Sequence, residues 1–540
     1  MNFRGLELHG KSFWSHRKIE RCLDVCRDYA LNALVIHDSD FMTDFIFPSS
    51  IFNPSKPWSG APSRRGENAL HNNMVYFRDI LKRAARKGID VWIEIKEITF
   101  PDEIIEKHPD VLKDGVICPT DPLWLDLIKA KYTDLAELYP GIKGVIVSAG
   151  SPEGKTALSQ KKCKCSRCAS ADLSDWYVSI LDAMYRILSP NKISLAVREF
   201  SYNVNHQKAI TEAMNRMPGD VIYCIKVTPH DFYPTFPDNS LIADVNDRPK
   251  WIEYDTMGQY YGWGVIPCLM YDDITARFRY ADAHRVDGAL LRVEWERVND
   301  YYSVDSPNRM NLHIAAACAA GEKIPLDSFI RTWLAEERII YTEDDFAVLK
   351  EYITQTWDII KKALYINDFV LNDSSMVPQS IERAWWSMAD KHSLAEWFPA
   401  RQPDLEMDEP KADAYLKEKE SALEKIVQWK KRINSFDRST ELILFLKKTI
   451  NETERYILIN YYYARVCILA GLVDKAGEAV SKEKAGLFKR CTDELEHAAS
   501  ENAVWLENSD YTHHMYLLFN PDRCLALVKG ARARLEKLHN

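Results

Sequence analysis

The feature that most constrains the fold is an alternation of short apolar runs with helical patterns between residues 3 and 296. Apolar runs of about four to eight residues are typical of buried strands, and an intervening helix allows successive strands to run parallel. Eight such units in about 290 residues have the count and length of a closed (β/α)8 barrel. The predicted strands are Gly5–His9, Ala33–His37, Asp90–Ile95, Gly144–Ser148, Ile193–Phe200, Val221–Lys226, Trp251–Asp255 and Gly288–Glu294.

Helical periodicity fills the segments between these strands. An open, doubly wound sheet is the alternative, but no Gly-rich dinucleotide fingerprint follows the first strand. We therefore predict an α/β fold, a TIM barrel, whose long loops at 39–72 and 150–171 lie on the face that forms substrate pockets. The predicted barrel helices include Arg17–Tyr29, Met74–Lys87, Leu123–Leu138, Leu173–Leu188 and Ile274–His284.

From about Pro325 onward the sequence changes to long helical periodicity with few strand signals. We predict two domains, the barrel over residues 1–320 and an all-α domain over 321–540. The second domain is a candidate to carry a homodimer interface. Its predicted helices are Phe329–Ile339, Thr342–Leu364, Pro410–Asn434, Ser439–Ala470, Glu483–Glu507 and Pro521–Leu538.

The charge balance narrows the class of partner. Seventy Lys and Arg against 79 Asp and Glu give a net charge of −9, which disfavours nucleic acid or an anionic membrane. No continuous apolar run reaches the roughly 18 residues needed to span a bilayer, and the N-terminus carries no signal-peptide core. We expect a cytoplasmic protein that acts on a small molecule without a cofactor.

Three cysteines, Cys163, Cys165 and Cys168, fall within six residues of one predicted loop. Clustered thiols are a zinc signal, but a tetrahedral site needs four ligands, and the sequence shows no fourth ligand nearby. They are weak metal candidates, and free or redox-labile thiols are the alternative. Any metal here is expected to be structural rather than catalytic.

Carboxylates follow several predicted strands, where a barrel presents its catalytic groups. Hydrolysis of a glycosidic bond needs two carboxyls, one to protonate the leaving oxygen and another to activate water or attack the sugar. Any single one of these acids can instead be a salt-bridged structural residue. The candidates are Glu94, Glu97, Glu153, Asp231, Glu253, Asp255, Glu294 and Glu296.

Basic residues end two adjacent predicted strands, at Arg198 and Lys226. A guanidinium beside an ammonium suits a substrate carboxylate. Pairing with Glu199 or Glu253 is the alternative. Arg292 is a third cation at a strand end. The tryptophans that could stack on a sugar or simply pack in the core are Trp14, Trp58, Trp263 and Trp295.

Four segments resemble the α-glucuronidase family of glycoside hydrolases, which remove glucuronic acid from xylan side chains. Their order and spacing also agree with that family, as does a barrel followed by a helical domain. The segments are Val147-Ser-Ala-Gly-Ser-Pro-Glu153-Gly, Arg198-Glu-Phe-Ser-Tyr202, Lys226-Val-Thr-Pro-His-Asp231-Phe-Tyr-Pro and Glu253-Tyr-Asp-Thr-Met-Gly-Gln259-Tyr-Tyr-Gly.

The resemblance implies that Glu153 is the general acid and that Asp231 activates water, with Arg198 and Lys226 on the uronate carboxylate. It also implies an inverting mechanism, in which the two carboxyls stand about 6.5–9.5 Å apart. The remaining predicted site residues are Glu253 and Gln259 in the catalytic group and Tyr202, Asp255, Arg292 and Trp295 on the substrate.

Two positions depart from the family pattern. Gln259 replaces a second catalytic-side glutamate and cannot act as a base, and Ser148 replaces a lysine near the acid, which removes one contact to an anion. The first hypothesis is an exo-acting, inverting hydrolase of an α-linked uronic acid or similar anionic sugar. The second is a barrel that binds acidic saccharides without turnover, as Gln259 suggests. The third is a uronate lyase with Tyr202 as base.

Overall fold

The structure is a computed structural model. It describes residues 1–38, 41–46, 64–151, 153–295, 302–372, 374–389, 394–509 and 513–539. Two residues singled out from the sequence, Trp58 and Glu296, lie outside these ranges.

Eight parallel strands form a closed barrel in chain order, which confirms the predicted TIM barrel followed by an all-α region. The barrel closes where Phe3 of the first strand pairs with Gly288 of the last. Observed and predicted boundaries differ by only a few residues, because each apolar run coincides with a strand buried on both faces. The strands are β1 Phe3–Leu8, β2 Ala33–His37, β3 Asp90–Glu97, β4 Ile142–Ala149, β5 Ser194–Arg198, β6 Ile222–Lys226, β7 Lys250–Asp255 and β8 Gly288–Arg292.

Helices cover the outside of the barrel. The helix before β3 begins at Arg64, ten residues earlier than the predicted Met74. The prediction began too late because Gly66, a poor helix former, and the polar run at residues 71–73 interrupt the apolar periodicity in the sequence. The barrel helices of the described chain are His16–Asp28, Phe41–Asp44, Arg64–Arg86, Glu103–Lys107, Leu123–Leu138, Ser166–Ser170, Leu173–Leu188, Val204–Met214, Leu241–Asp244, Tyr271–Ala283 and Arg309–Ala320.

The barrel interior has an apolar lower layer and a charged upper layer. Side chains on a strand alternate between its two faces, so every second residue of each strand points inward and contributes to these layers. Phe3 stacks on Trp251 at 3.7 Å between ring centroids, and Trp92 meets the edge of Trp251 at 5.0 Å. Glycine is required beside these rings, since a Cβ at Gly144 would lie 2.1 Å from Trp92. Further along the strands the buried inward positions become polar, as at Glu7, Glu94 and Glu253.

The C-terminal half is helical, with one short hairpin at residues 365–370. The single helix predicted over residues 342–364 is two helices in the structure, because the chain turns at Thr354 and Gln355. After this turn, the Thr356 hydroxyl accepts a hydrogen bond from the backbone N–H of Leu269 in the barrel. The helices are Leu326–Glu336, Glu343–Ile353, Thr356–Leu364, Ile381–Ala389, Leu394–Trp397, Glu409–Asn434, Glu441–Ala476, Lys482–Glu507, His513–Phe519 and Pro521–His539.

Glu441–Ala476 is the central helix of this half. By length and composition alone it could cross a membrane, but 83% of its most apolar stretch is buried inside the protein. Burial among neighbouring helices accounts for a helix that is apolar on most of its faces.

The helical half fixes the loop that follows β7. The backbone N–H and the hydroxyl of Ser375 both donate to the Gln259 carbonyl at 2.8 Å, and the Tyr365 hydroxyl donates to the Tyr260 carbonyl at 2.9 Å. These buried bonds orient the loop from outside the barrel.

We predict that Gly471→Ala destabilises the protein by about 1–3 kcal/mol, as overpacking in a core does. A Cβ at Gly471 would lie 1.9 Å from the Trp385 ring, which packs across the central helix. Chemical denaturation measures the change. Gly486→Ala is the matched control, because its nearest neighbour is the flexible end of Arg490 at 3.7 Å, and it should stabilise the helix by up to about 1 kcal/mol. Equal stability of the Gly471 variant and the parent protein would contradict the packing argument.

Candidate functional site

A cavity of about 240 Å³ opens at the carboxyl ends of the barrel strands. Its wall combines strand-end and loop residues with three side chains from the helix Ile381–Ala389, so both halves of the chain build it. The lining residues are His9, Lys96, Glu153, Arg198, Phe200, Tyr202, Lys226, His230, Asp231, Tyr233, Gln259, Tyr260, Arg292, Trp295, Arg383, Trp386 and Ser387.

Beneath the cavity, Arg198 forms a buried two-point pair with Glu253. Its Nε and Nη2 atoms each donate to one carboxylate oxygen of Glu253 at 2.7 Å, and Nε also lies 3.0 Å from Glu94. The alternative that Arg198 pairs with Glu253 therefore holds. Arg198 still reaches the cavity, where its Nη1 lies 3.4 Å from the Ser148 hydroxyl.

Three carboxyls, from Glu7, Glu94 and Glu253, cluster within 4.8 Å in this buried layer. Burial raises the pKa of Glu94 well above its ordinary value, and the charge of Glu7 adds to that rise. Burial also raises the pKa of Glu7, against the lowering effect of Arg292. Glu7 and Glu94 therefore retain their protons to higher pH than exposed carboxyls do.

Two imidazoles, those of His9 and His37, stack in the same layer with their ring centroids 3.5 Å apart. Burial, with the nearby cations, lowers the pKa of both rings well below the ordinary value. A neutral His9 can accept from Arg292 Nη2 at 2.9 Å, while His37 Nδ1 lies 2.7 Å from Glu7. Both rings therefore serve as neutral hydrogen-bonding groups.

Asp231 is held at the cavity wall by a tight turn. Pro229 and the positive φ of His230, 66°, reverse the chain, so that Asp231 accepts from Lys226 at 2.6 Å and from the Tyr260 hydroxyl. Burial raises the pKa of the Asp231 carboxyl, but the charge of Lys226, with those of His230 and Arg292, outweighs burial and holds it below the ordinary range. Asp231 is therefore an ionised carboxylate, 13% exposed.

Glu153 faces the same cavity and pairs with Lys96 at 2.5 Å. Burial raises its pKa, but the charge of Lys96 and its hydrogen bond outweigh burial, and the pKa is lowered. Lys96 on β3 is in register with Ser148 on β4. The strand beside Ser148 thus supplies a cation next to Glu153.

Several predicted residues lie away from the cavity. Asp255 accepts the backbone N–H groups of residues 257, 258 and 259 and so folds the β7 loop; burial raises its pKa to about 6. Glu97 is paired with Lys131 and Tyr132, and Glu294 accepts the backbone N–H of Ser12. Glu253 is fully buried, and both of its carboxylate oxygens accept hydrogen bonds from Arg198. These four acids have structural partners and do not line the cavity.

Gln259 links two parts of the wall. Its side-chain oxygen accepts from Arg292 at 3.0 Å, and its amide nitrogen donates to Tyr260 at 3.2 Å. Among the tryptophans, Trp295 lines the cavity and packs on buried Trp263 at 4.9 Å. Trp14 stacks on Phe45 outside the cavity.

Sequence reasoning missed Lys96, Tyr260, His9 and Arg383. Lys96 lies two residues after Glu94, so the two-residue period of a strand places both side chains inward. Tyr260 adjoins Gln259 within a quoted motif, and His9 ends the first predicted strand. No local signal identifies Arg383, because it reaches the cavity from a distant helix.

The comparisons with known proteins give a fold and no family. No family model and no curated protein sequence matches the chain. The solved structure of a GH138 enzyme targeting pectin rhamnogalacturonan II matches with a TM-score of 0.59 at 10% identity. The match covers 93% of this chain and 62% of that one. The chain thus spans less than two thirds of that enzyme, and the likeness shows a shared fold.

Glycoside hydrolases recur among the other solved structures that match. One of them is an O-GlcNAc hydrolase mutant from Thermobaculum terrenum, with 12% identity and a TM-score of 0.45. That match covers 100% of this chain and 94% of the other chain. None of these matches singles out the α-glucuronidase family that the motifs resemble.

We predict that Arg198→Leu lowers the free energy of unfolding by about 3–5 kcal/mol, since it leaves buried carboxylates without their cation. The loss should grow as the pH rises. Burial and the charge of Glu7 raise the pKa of Glu94, and the charge of Arg198 lowers it, so removing Arg198 raises that pKa further in the folded variant. Between the folded-state pKa values of parent and variant, the folded variant still holds a proton that the unfolded chain has released, so the variant loses stability relative to the parent as the pH rises. Urea unfolding across a pH series measures both effects.

Arg216→Leu is the control for this experiment. Arg216 pairs with Asp175 at the surface, where both side chains are about half exposed or more, and such pairs contribute at most about 1 kcal/mol. Arg198→Leu combined with Glu253→Leu should recover part of the stability. A loss independent of pH would refute the buried-charge interpretation.

Proposed function

We propose that this protein is an exo-acting glycoside hydrolase whose substrate is an anionic sugar of the uronic acid class. Two carboxylates in one cationic cavity, Glu153 and Asp231, are the main reason for this proposal. Each side chain accepts from a lysine, and both line the mouth of a barrel whose loops are the usual place for catalysis.

Glu153 is the proposed general acid and Asp231 the proposed base. Glu153 gives its proton to the glycosidic oxygen as the bond to the anomeric carbon breaks, while Asp231 removes a proton from the attacking water. Glu153 approaches from the β3–β4 side and Asp231 from the β6–β7 side of the barrel. We propose inversion, in which the two carboxyls stand about 6.5–9.5 Å apart so that a water fits between the base and the sugar.

The charge of the cavity supports an anionic substrate. Lys96, Arg198, Lys226, Arg292 and Arg383 contribute five cationic side chains to the lining, against two carboxylates. A low-dielectric cleft lined mainly by one charge concentrates ligands of the opposite charge. A sugar carboxylate would therefore bind here better than a neutral hydroxymethyl group.

The size of the cavity supports removal of one terminal sugar. Its volume of about 240 Å³ is below the roughly 300–1,000 Å³ of sites for drug-sized ligands. Trp386 and Arg383, from the helical half, line one side. A cavity of this size suits a single ring rather than an extended chain.

Gln259 need not act as a base in this scheme. Its amide joins Arg292 to Tyr260, and Tyr260 donates to Asp231. Gln259 would thus keep the base oriented. The absence of a second carboxylate at this position also favours a second candidate, a protein that binds acidic saccharides without cleaving them.

The proposal predicts that α-linked uronides are cleaved and that their neutral counterparts are not. Incubation with a panel of α- and β-linked uronides and neutral glycosides, followed by NMR, measures both turnover and the first-formed anomer. We expect the inverted anomer. Asp231→Asn and Glu153→Gln should each lower turnover by about 100-fold or more while substrate binding is kept.

Two control variants and one further test make this experiment decisive. Asp126→Asn and Lys129→Met change an exposed pair and should leave turnover unchanged. Lys226→Met should raise KM for uronides, and because Lys226 also donates to Asp231, it should lower turnover as well. A fully active Asp231→Asn enzyme would remove Asp231 from the mechanism, and binding of uronides without turnover would favour the second candidate.

A second prediction concerns pH. Without substrate, Lys96 keeps the pKa of Glu153 low, whereas a bound uronate would draw on Lys96 and add negative charge, which raises that pKa. Since the acid must be protonated, kcat should persist to higher pH than kcat/KM. Lys96→Met should move the basic limb of the kcat/KM profile to higher pH.

Lys155→Met is the matched control, because Lys155 pairs with Asp102, whose side chain is 91% exposed. It should leave both pH profiles in place. If Lys96→Met also leaves the kcat/KM limb unchanged, Lys96 does not control the proton of Glu153.

A further inference from the structure

Four cysteines from two loops meet beside the barrel mouth. Cys163, Cys165 and Cys168 belong to the loop after β4, and Cys118 follows the short hairpin in the loop after β3. The four sulfur atoms all lie within 4.8 Å of one another. The fourth ligand that the sequence does not reveal is thus Cys118, which the fold brings to the other three.

The sulfur positions match a tetrahedral site. Cys118 Sγ lies 3.6 Å from the sulfurs of both Cys165 and Cys168. A zinc ion bound at about 2.3 Å by four thiolates places neighbouring sulfurs about 3.8 Å apart. A disulfide would need about 2.05 Å, and all four cysteines are free.

We propose that Cys118, Cys163, Cys165 and Cys168 bind one zinc ion as a structural site. Four thiolates complete the tetrahedral coordination, so no position is left for water or substrate. The site is therefore separate from the proposed hydrolysis and does not depend on it.

The surroundings suit a thiolate cluster. Four thiolates and one Zn²⁺ carry an excess of negative charge, and the segment from 161 to 168 interleaves its cysteines with Lys161, Lys162, Lys164 and Arg167. The Thr120 hydroxyl lies 3.2 Å from Cys168 Sγ.

Neighbouring contacts fix both loops to the barrel. Trp124 donates to the Cys118 carbonyl at 2.7 Å, and Trp176 donates to the Pro119 carbonyl at 2.9 Å. Arg167 pairs with Asp121 at 2.9 Å across the two loops. A metal ion here would join the β3 loop to the β4 loop, which carries Glu153.

Elemental analysis of the purified full chain tests the proposal. We expect one zinc ion per chain in the parent protein. Cys165→Ser and Cys118→Ser should each reduce zinc to background, whereas Cys318→Ser, at a partly buried cysteine outside the cluster, should retain it. Circular dichroism confirms that each variant is folded, and Cys165, which is partly exposed, is the safer substitution.

Two further measurements use the parent protein alone. After chelation and desalting, added Co²⁺ should give the intense visible bands of tetrahedral thiolate coordination, and alkylation in denaturant should modify all 12 cysteines. Failure of the parent protein to hold zinc or Co²⁺ would overturn the proposal. A disulfide within the four cysteines would overturn it as well. Neither measurement requires hydrolytic activity.

Discussion

The buried pair of Arg198 and Glu253 is the interaction on which the upper barrel depends. It joins the ends of β5 and β7 through the barrel interior, and Glu94 on β3 lies against the same guanidinium. Removing such charges from water is costly unless hydrogen bonds satisfy them. Each charged group in this layer is held by partners on other strands. These contacts fix the strand ends that carry the cations and carboxylates of the cavity above.

The fold was predictable because its signals are local. Each strand of the barrel coincides with an apolar run, and the two-residue alternation already separates inward from outward positions. The candidate site was predictable in part. Glu153 and Asp231 do line one cavity, but their lysine partners differ in kind: Lys226 is five residues from Asp231, whereas Lys96 reaches Glu153 from another strand. Contacts of the second kind depend on register, which periodicity alone does not supply.

The residues that could not be predicted come from long-range packing. Cys118 meets the other three cysteines only because the loops after β3 and β4 are neighbours in the barrel. Arg383 belongs to a distant helix that lines one side of the cavity, and the hydroxyl of Ser375 orients the loop carrying Gln259. The helical half is thus part of the site, and the chemistry of the barrel cannot be considered without it.

The contribution of the helix Ile381–Ala389 has a consequence for biosynthesis. Domains generally fold from the N-terminus as the chain leaves the ribosome, and β8 of the barrel ends at Arg292. The barrel strands are therefore complete while the residues that line one side of the cavity are still unmade. During that interval the cationic mouth is open to any anion in its surroundings. The lining of the pocket is complete only when the later helix docks.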